Sequence, residues 1–132
     1  MIVRNVDDLV GTDRDLAGDG WHSRRLLLAA DGMGYSLNDT IVAPGEELTL
    51  EYRHHLEACY CISGSAVVID LATGEEHHIT PGTVYALDRH DRHRLRTDEG
   101  VRLVCVFDPP LTGTEPHVDG GYLPAEDVAS SQ

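Results

Sequence analysis

Residues 51–64, EYRHHLEACYCISG, crowd two histidines, two glutamates and two cysteines into one short run. These are side chains that ligate metals and move protons. Their spacing restricts what they can do together. Neighbouring strand residues point to opposite faces, so the adjacent His54 and His55 cannot both serve one site from a regular strand. Cys59 and Cys61 lie two apart and share a face. A Cys-x-Cys pair with no second Cys/His pair nearby reads first as buried core thiols and only second as soft metal ligands. With Cys105 the thiols number three, and an odd count without a signal peptide argues against a disulfide framework. All ten basic residues are arginine, which excludes lysine Schiff-base and pyridoxal phosphate chemistry. Any reaction must use histidine, carboxylate, tyrosine, cysteine or a metal.

Short β-rich runs must position these residues. Arg25–Ala29, Tyr35–Val42, Glu47–Tyr52, Ala58–Ser63, Ala66–Asp70, His77–Thr80, Val84–Leu87, His93–Arg96 and Val101–Phe107 all read as strands. Glycine-containing turns separate them, among them Pro44-Gly45, Ser63-Gly64 and Pro81-Gly82. This pattern predicts an all-β sandwich or small barrel in one domain. One short helical turn is expected near Val6–Val10. The stretch after Phe107, DPPLTGTEPHVDGGY, predicts an irregular segment. Residues 1–123 are expected to form the domain and its C-terminal lid segment, and residues 124–132 a mobile tail.

The glycines carry a further signal. Gly45 is followed after five residues by Glu51-Tyr52-Arg53, then by Glu57 and Gly64. This frame resembles the first signature of the cupin barrels, with His-x-His replaced by Glu51 and Arg53. The second signature, laid from Gly74, finds Gly82 in register and Pro81 shifted by one. Tyr85 stands where a histidine is expected and Arg89 where an asparagine is expected. The ligand set of such a barrel would thus be rebuilt. Glu57 and Tyr85 remain as candidate metal ligands, and His93, opening the next strand, is the best third. A carboxylate, a phenolate and an imidazole suit Fe(II), Mn(II) or Zn(II) better than Cu(I). On spacing alone the same residues also fit a metal-free barrel, with Tyr85 as a wall aromatic and Glu57 as a hydrogen-bonded strand residue.

More of the chain matches a single cupin family. MIVRN, Trp21-x-x-x-Arg25, Tyr52-Arg53-His54-His55-Leu56-Glu57-Ala58-x-Tyr60-Cys61-Ile62, Tyr85-x-Leu87-Asp88-x-His90-Asp91-x-His93, Cys105-Val106-Phe107 and Leu111-Thr112-Gly113-x-Glu115-x-His117 together resemble the ectoine synthases. The resemblance runs from residue 1 to about residue 123. It implies a single cupin-type small β-barrel or jelly roll, a homodimer, and a lyase. That lyase cyclises N-γ-acetyl-L-2,4-diaminobutyrate to ectoine, a compatible solute made under osmotic stress. It implies Fe(II) held by Glu57, Tyr85 and His93. It further implies substrate-binding roles for Trp21, Arg25, Asn38, Thr40, Cys105 and Phe107, and catalytic roles for Tyr52, His55, Glu115 and His117. Tyr52 and His55 differ in strand parity, so both can face inward only if a bulge or twist intervenes. His22, His54, His77, His78 and His90 are expected to be structural or solvated.

The net charge of −13 disfavours nucleic acid and anionic membranes as partners, because both need a basic face. No apolar run reaches the ~20 residues of a membrane span. The acidic N-terminus lacks signal-peptide order, so a cytoplasmic protein is expected. Two other readings compete with the lyase. One is a catalytically inactive cupin that binds a small polar ligand, which the loss of His-x-His favours. The other is an iron dioxygenase, which that same loss disfavours.

Overall fold

The computed structural model describes residues 1–115, 117–118 and 121–122; the expected tail, 124–132, lies outside the described residues. Strands β1 (Asp15–Gly18), β2 (Trp21–Leu27), β3 (Ser36–Val42), β4 (Glu47–Leu50), β5 (Leu56–Gly64) and β6 (Ala66–Asp70) come first in the chain. They are followed by β7 (Glu76–Ile79), β8 (Val84–Leu87), β9 (His93–Arg96) and β10 (Val101–Asp108). The expected helical turn is a 3-10 turn at Val6–Asp8, capped by the Asn5 side chain, and a second covers Ala29–Asp31. Among the described residues no helix is long and apolar enough to cross a membrane.

Two antiparallel sheets form, one ordered β1-β2-β3-β10-β5-β8 and the other β4-β9-β6-β7. Alternation decides their facing. On β10 Val101, Leu103, Cys105 and Phe107 are buried while the residues between them are not. Val68 and Leu95 offer matching buried faces from the smaller sheet, and these side chains join one core. At 25 cal/mol per Å² such burial dominates the folding energy. Close backbone approach fixes one corner. A Cβ on Gly64, whose φ is +75°, would lie 2.1 Å from the Gly100 carbonyl oxygen.

The outer face of the larger sheet carries an ion triad in which Asp39 and Arg24 are buried and Arg102 is partly exposed. Asp39 accepts from Arg24 Nη2 at 2.6 Å and from Arg102 Nη2 at 2.7 Å. Arg24 and Asp39 are direct cross-strand partners on β2 and β3. Burial raises the Asp39 carboxyl, but the hydrogen bonds from Arg102 and Arg24 outweigh it and hold the group below its ordinary value.

Several expected boundaries shift. The strand expected at Arg25–Ala29 occupies Trp21–Leu27, and β1 pairs with it although its sequence, DLAG, shows no alternation. The strand expected to reach Tyr52 stops at Leu50. Glu51–His55 is instead a turn, and it is this turn, not a bulge, that lets Tyr52 and His55 both be buried while Arg53 and His54 stay exposed. The strand β10 runs one residue past Phe107, to Asp108, and the described residues after it are irregular as expected, apart from a small hairpin of β11 (His117–Val118) and β12 (Gly121–Tyr122).

Candidate functional site

Between the sheets lies a cavity of about 50 Å³. Glu57, Tyr85, Trp21, Asn38, Thr40, Tyr52, Cys105 and Phe107 all line it, brought by five strands and the β4–β5 turn. Leu48, Leu50, Leu95 and Leu103 supply apolar wall. Ser23 also lines it and accepts from Thr40 Oγ1 at 3.2 Å. Nothing in the sequence had singled Ser23 out. Its position follows from its register opposite Thr40 on β3.

The indole of Trp21 is seated by a glycine. Gly18 pairs across the β1–β2 turn with Trp21, and a Cβ at Gly18 would fall 2.2 Å from the ring. Asn38 is 2% exposed, and its Oδ1 has no partner among the described residues. A buried acceptor left open in a cavity asks for a donor from whatever fills it. Tyr52 and His55 both pack edge-on against Phe107, with ring centroids at 5.2 and 6.0 Å.

The polar floor of the cavity is Glu57, Cys59 and Cys105. Their ligand atoms all lie within 4.8 Å of one another, and all three residues are buried. Burial pushes the Glu57 carboxyl up to about 7, against hydrogen bonds from the Cys59 and Cys105 thiols. Burial likewise raises the Tyr85 phenol well above its ordinary value, and Cys59 and Glu57 add to the rise. An ionised pair of these groups therefore requires a neighbouring positive charge.

His93 fits a metal ligand. It is 1% exposed, and its Nδ1 lies 2.9 Å from the Asp91 carbonyl oxygen, where it donates. That fixes the tautomer and leaves Nε2 as a lone pair; Nε2 is buried with no partner among the described residues. Burial lowers the His93 pKa, which keeps the ring neutral. Its ring lies 6.3 Å from that of Tyr85. The residues expected to hold Fe(II) thus offer a carboxylate, a phenol and an oriented imidazole. His93 does not itself belong to the tight Glu57–Cys59–Cys105 group.

The remaining candidates, like His93, are not among the residues that line the cavity. Arg25 is 2% exposed, not solvated, and Nη1 donates to the Gly113 carbonyl at 3.4 Å. Glu115 is buried and committed. It accepts from Thr112 N, Thr112 Oγ1 and Gly113 N, at 2.7 to 3.0 Å. Burial raises its carboxyl, but these hydrogen bonds outweigh it and leave the pKa lowered. His55 is buried, and burial lowers its pKa while the Glu115 charge works against that. His117 lies on β11 opposite Tyr122, and its side chain is outside the described residues.

Two expectations change in detail. Cys59 and Cys61 are both buried, as core thiols should be, yet Cys59 belongs to the cavity floor while Cys61 turns to the Ser63 carbonyl. Glu51 and Arg53, in the slots of His-x-His, form a surface ion pair at 2.7 Å. His90, set aside as structural, does specific work. Its Nδ1 lies 2.8 Å from the Tyr52 carbonyl and 3.0 Å from that of His55, pinning the turn that carries both. His54, His77 and His78 are exposed, and His22 pairs with Asp15.

Comparison with known proteins agrees with this geometry. The protein family described as ectoine synthase matches residues 1–127. The L-ectoine synthase of Desulfatibacillum aliphaticivorans is 55% identical over 129 residues, covering 96% of this chain and 99% of the relative. The crystal structure of ectoine synthase from P. lautus superposes with a TM-score of 0.82 at 50% identity, covering 86% of this chain and 81% of that one. A cupin 2 conserved barrel domain protein from Salinispora arenicola CNS-205 shares the fold alone, with a TM-score of 0.64 at 21% identity, covering 81% and 87%. By matched length, identity and superposition, the chain belongs to the ectoine synthase family and is built on the cupin fold.

Proposed function

We infer that the protein is an ectoine synthase, a hydro-lyase that closes N-γ-acetyl-L-2,4-diaminobutyrate to ectoine with loss of water. The observation that carries this reading is that Trp21, Asn38, Thr40, Tyr52, Glu57, Tyr85, Cys105 and Phe107, eight of the thirteen residues the family resemblance singles out, line one cavity. The α-amine forms a C–N bond to the acetyl carbon, and the acetyl oxygen leaves as water with protons taken from nitrogen. Fe(II), when held by Glu57, Tyr85 and His93, would polarise the acetyl carbonyl as a Lewis acid. Asn38 Oδ1 is open to accept a substrate N–H. The buried Arg25 guanidinium suits the substrate carboxylate. Thr40, Cys105, Trp21 and Phe107 would hold the chain folded into ring-closing geometry and exclude water.

His55 is the better general base. A neutral buried imidazole is ready to take the amine proton, whereas Glu115 is spent on the Thr112–Gly113 loop and serves to support the charge His55 acquires. Tyr52 lines the cavity and would return a proton to the departing oxygen. We read residues 1–123 as a single functional unit and assign His117 a catalytic role within it. We place the enzyme in the cytoplasm, making a compatible solute under osmotic stress. A homodimer fits the outer face of the larger sheet, where Leu56, Tyr60, Ile62 and Val84 are 39 to 60% exposed.

The test is direct. Metal-stripped protein is incubated with N-γ-acetyl-L-2,4-diaminobutyrate, with and without Fe(II), in the absence of oxygen, and ectoine is followed by NMR. Iron-dependent product is expected. Folded protein that forms no product in either sample would overturn the assignment of activity.

A further inference from the structure

The sheet register creates a second donor set, which shares Glu57 and Cys105 with the ring-closing reading and adds Cys59. On β5 and β10, Cys59 and Cys105 are direct cross-strand partners. Glu57 lies two positions along β5 from Cys59 and therefore on the same face. Paired strands bring such side chains within contact of each other. The two sulfurs and the carboxylate lie within 4.8 Å of one another, at 1, 4 and 8% exposure. All three line one cavity.

We propose that Cys59, Cys105 and Glu57 form a sulfur-containing cation site that takes thiophilic divalent ions such as Co(II), Zn(II) or Cd(II). Two thiolates and one carboxylate make a softer set than the carboxylate, phenolate and imidazole expected for Fe(II). The two sets share Glu57 and compete for it. Binding involves no electron transfer. Each thiol proton passes to solvent as the sulfur lone pair joins the ion. The chain therefore carries a built-in vulnerability to soft metals at the heart of its pocket. Cys61 provides an internal control, being fully buried but turned to the Ser63 carbonyl at 3.5 Å and outside the cluster.

The proposal needs no substrate, so it stands or falls independently of the activity assigned above. Reduced, metal-stripped protein is titrated with Co(II) without oxygen, and the near-ultraviolet thiolate-to-cobalt charge-transfer absorption is recorded. A band saturating at one equivalent is expected. It should fall about two-fold in C59S and in C105S, one of two thiolates being lost in each, and vanish in the double variant. It should persist in C61S and in Y85F. Because each single variant is read separately, the C105S spectrum still tests the cluster if C59S fails to fold, and the reverse. Co(II) binding without the band, a band unchanged in C59S and C105S, or no Co(II) binding at all would each overturn the proposal.

Discussion

A carboxylate buried without a cation is a liability, and Glu57 makes it measurable. Its pKa rises from 4.5 to about 7 on folding of the metal-free chain. The neutral form is thus favoured in the fold, and the cost appears as pH climbs above 4.5 and is complete above about 7. It amounts to about 3 kcal/mol at pH 8. We expect E57Q to raise the melting temperature of metal-free protein at pH 8, to leave it unchanged near pH 4, and to abolish iron binding. Calorimetry with metal analysis checks all three. His55 sets a second expectation. Burial lowers its pKa, so kcat/KM should fall only as pH drops below about 6.5, where the imidazole becomes charged. H55N should remove that limb and cost about 10²-fold in rate. A spaced motif reports residue types, and it is on that ground that Glu57, Tyr85 and His93 are candidate ligands. The cross-strand placement of Cys59 and the hydrogen bonding of Glu115 were not legible. One depends on which strand pairs with which, the other on hydrogen bonds within an irregular loop, and neither leaves a periodic trace.

Strands β8 and β9 were read from the sequence with their observed limits, because each is short, alternating and bounded by turn residues. The DLAG strand escaped notice. Its pairing comes from the Trp21 strand beside it, and its glycine exists to admit an indole. The β4–β5 turn also resisted reading, since Glu51–His55 looks like a continuing strand. What holds it is His90, at a φ of +54° that few non-glycine residues adopt. The clamp and the strained backbone occur in one residue, which fits a position kept for site geometry. H90A should leave iron stoichiometry intact while lowering kcat/KM about ten-fold, because Tyr52 and His55 lose their fixed placement. Steady-state kinetics beside metal analysis separates this from general unfolding. An H90A enzyme with wild-type kinetics would reduce the clamp to ordinary loop packing.

At the scale of the molecule, the inner face of the larger sheet holds the pocket and the outer face carries an exposed apolar patch. Tyr60 and Val84 are cross-strand neighbours there, 48 and 60% exposed. V84E should convert a dimer to a monomer by sedimentation velocity, and unchanged sedimentation would exclude this face as the contact. The triad of Asp39, Arg24 and Arg102 lies on that same side of the sheet. Surface pairs such as Arg94–Glu47, roughly half exposed, lose their attraction as the Debye length shrinks from about 10 Å at 0.1 M salt to about 3 Å at 1 M. Within the triad Asp39 and Arg24, 6 and 8% exposed, are sheltered from mobile ions, while Arg102 at 37% is partly open to them. As ionic strength rises, the β2–β3 pairing therefore keeps its charged brace after the surface pairs have been screened.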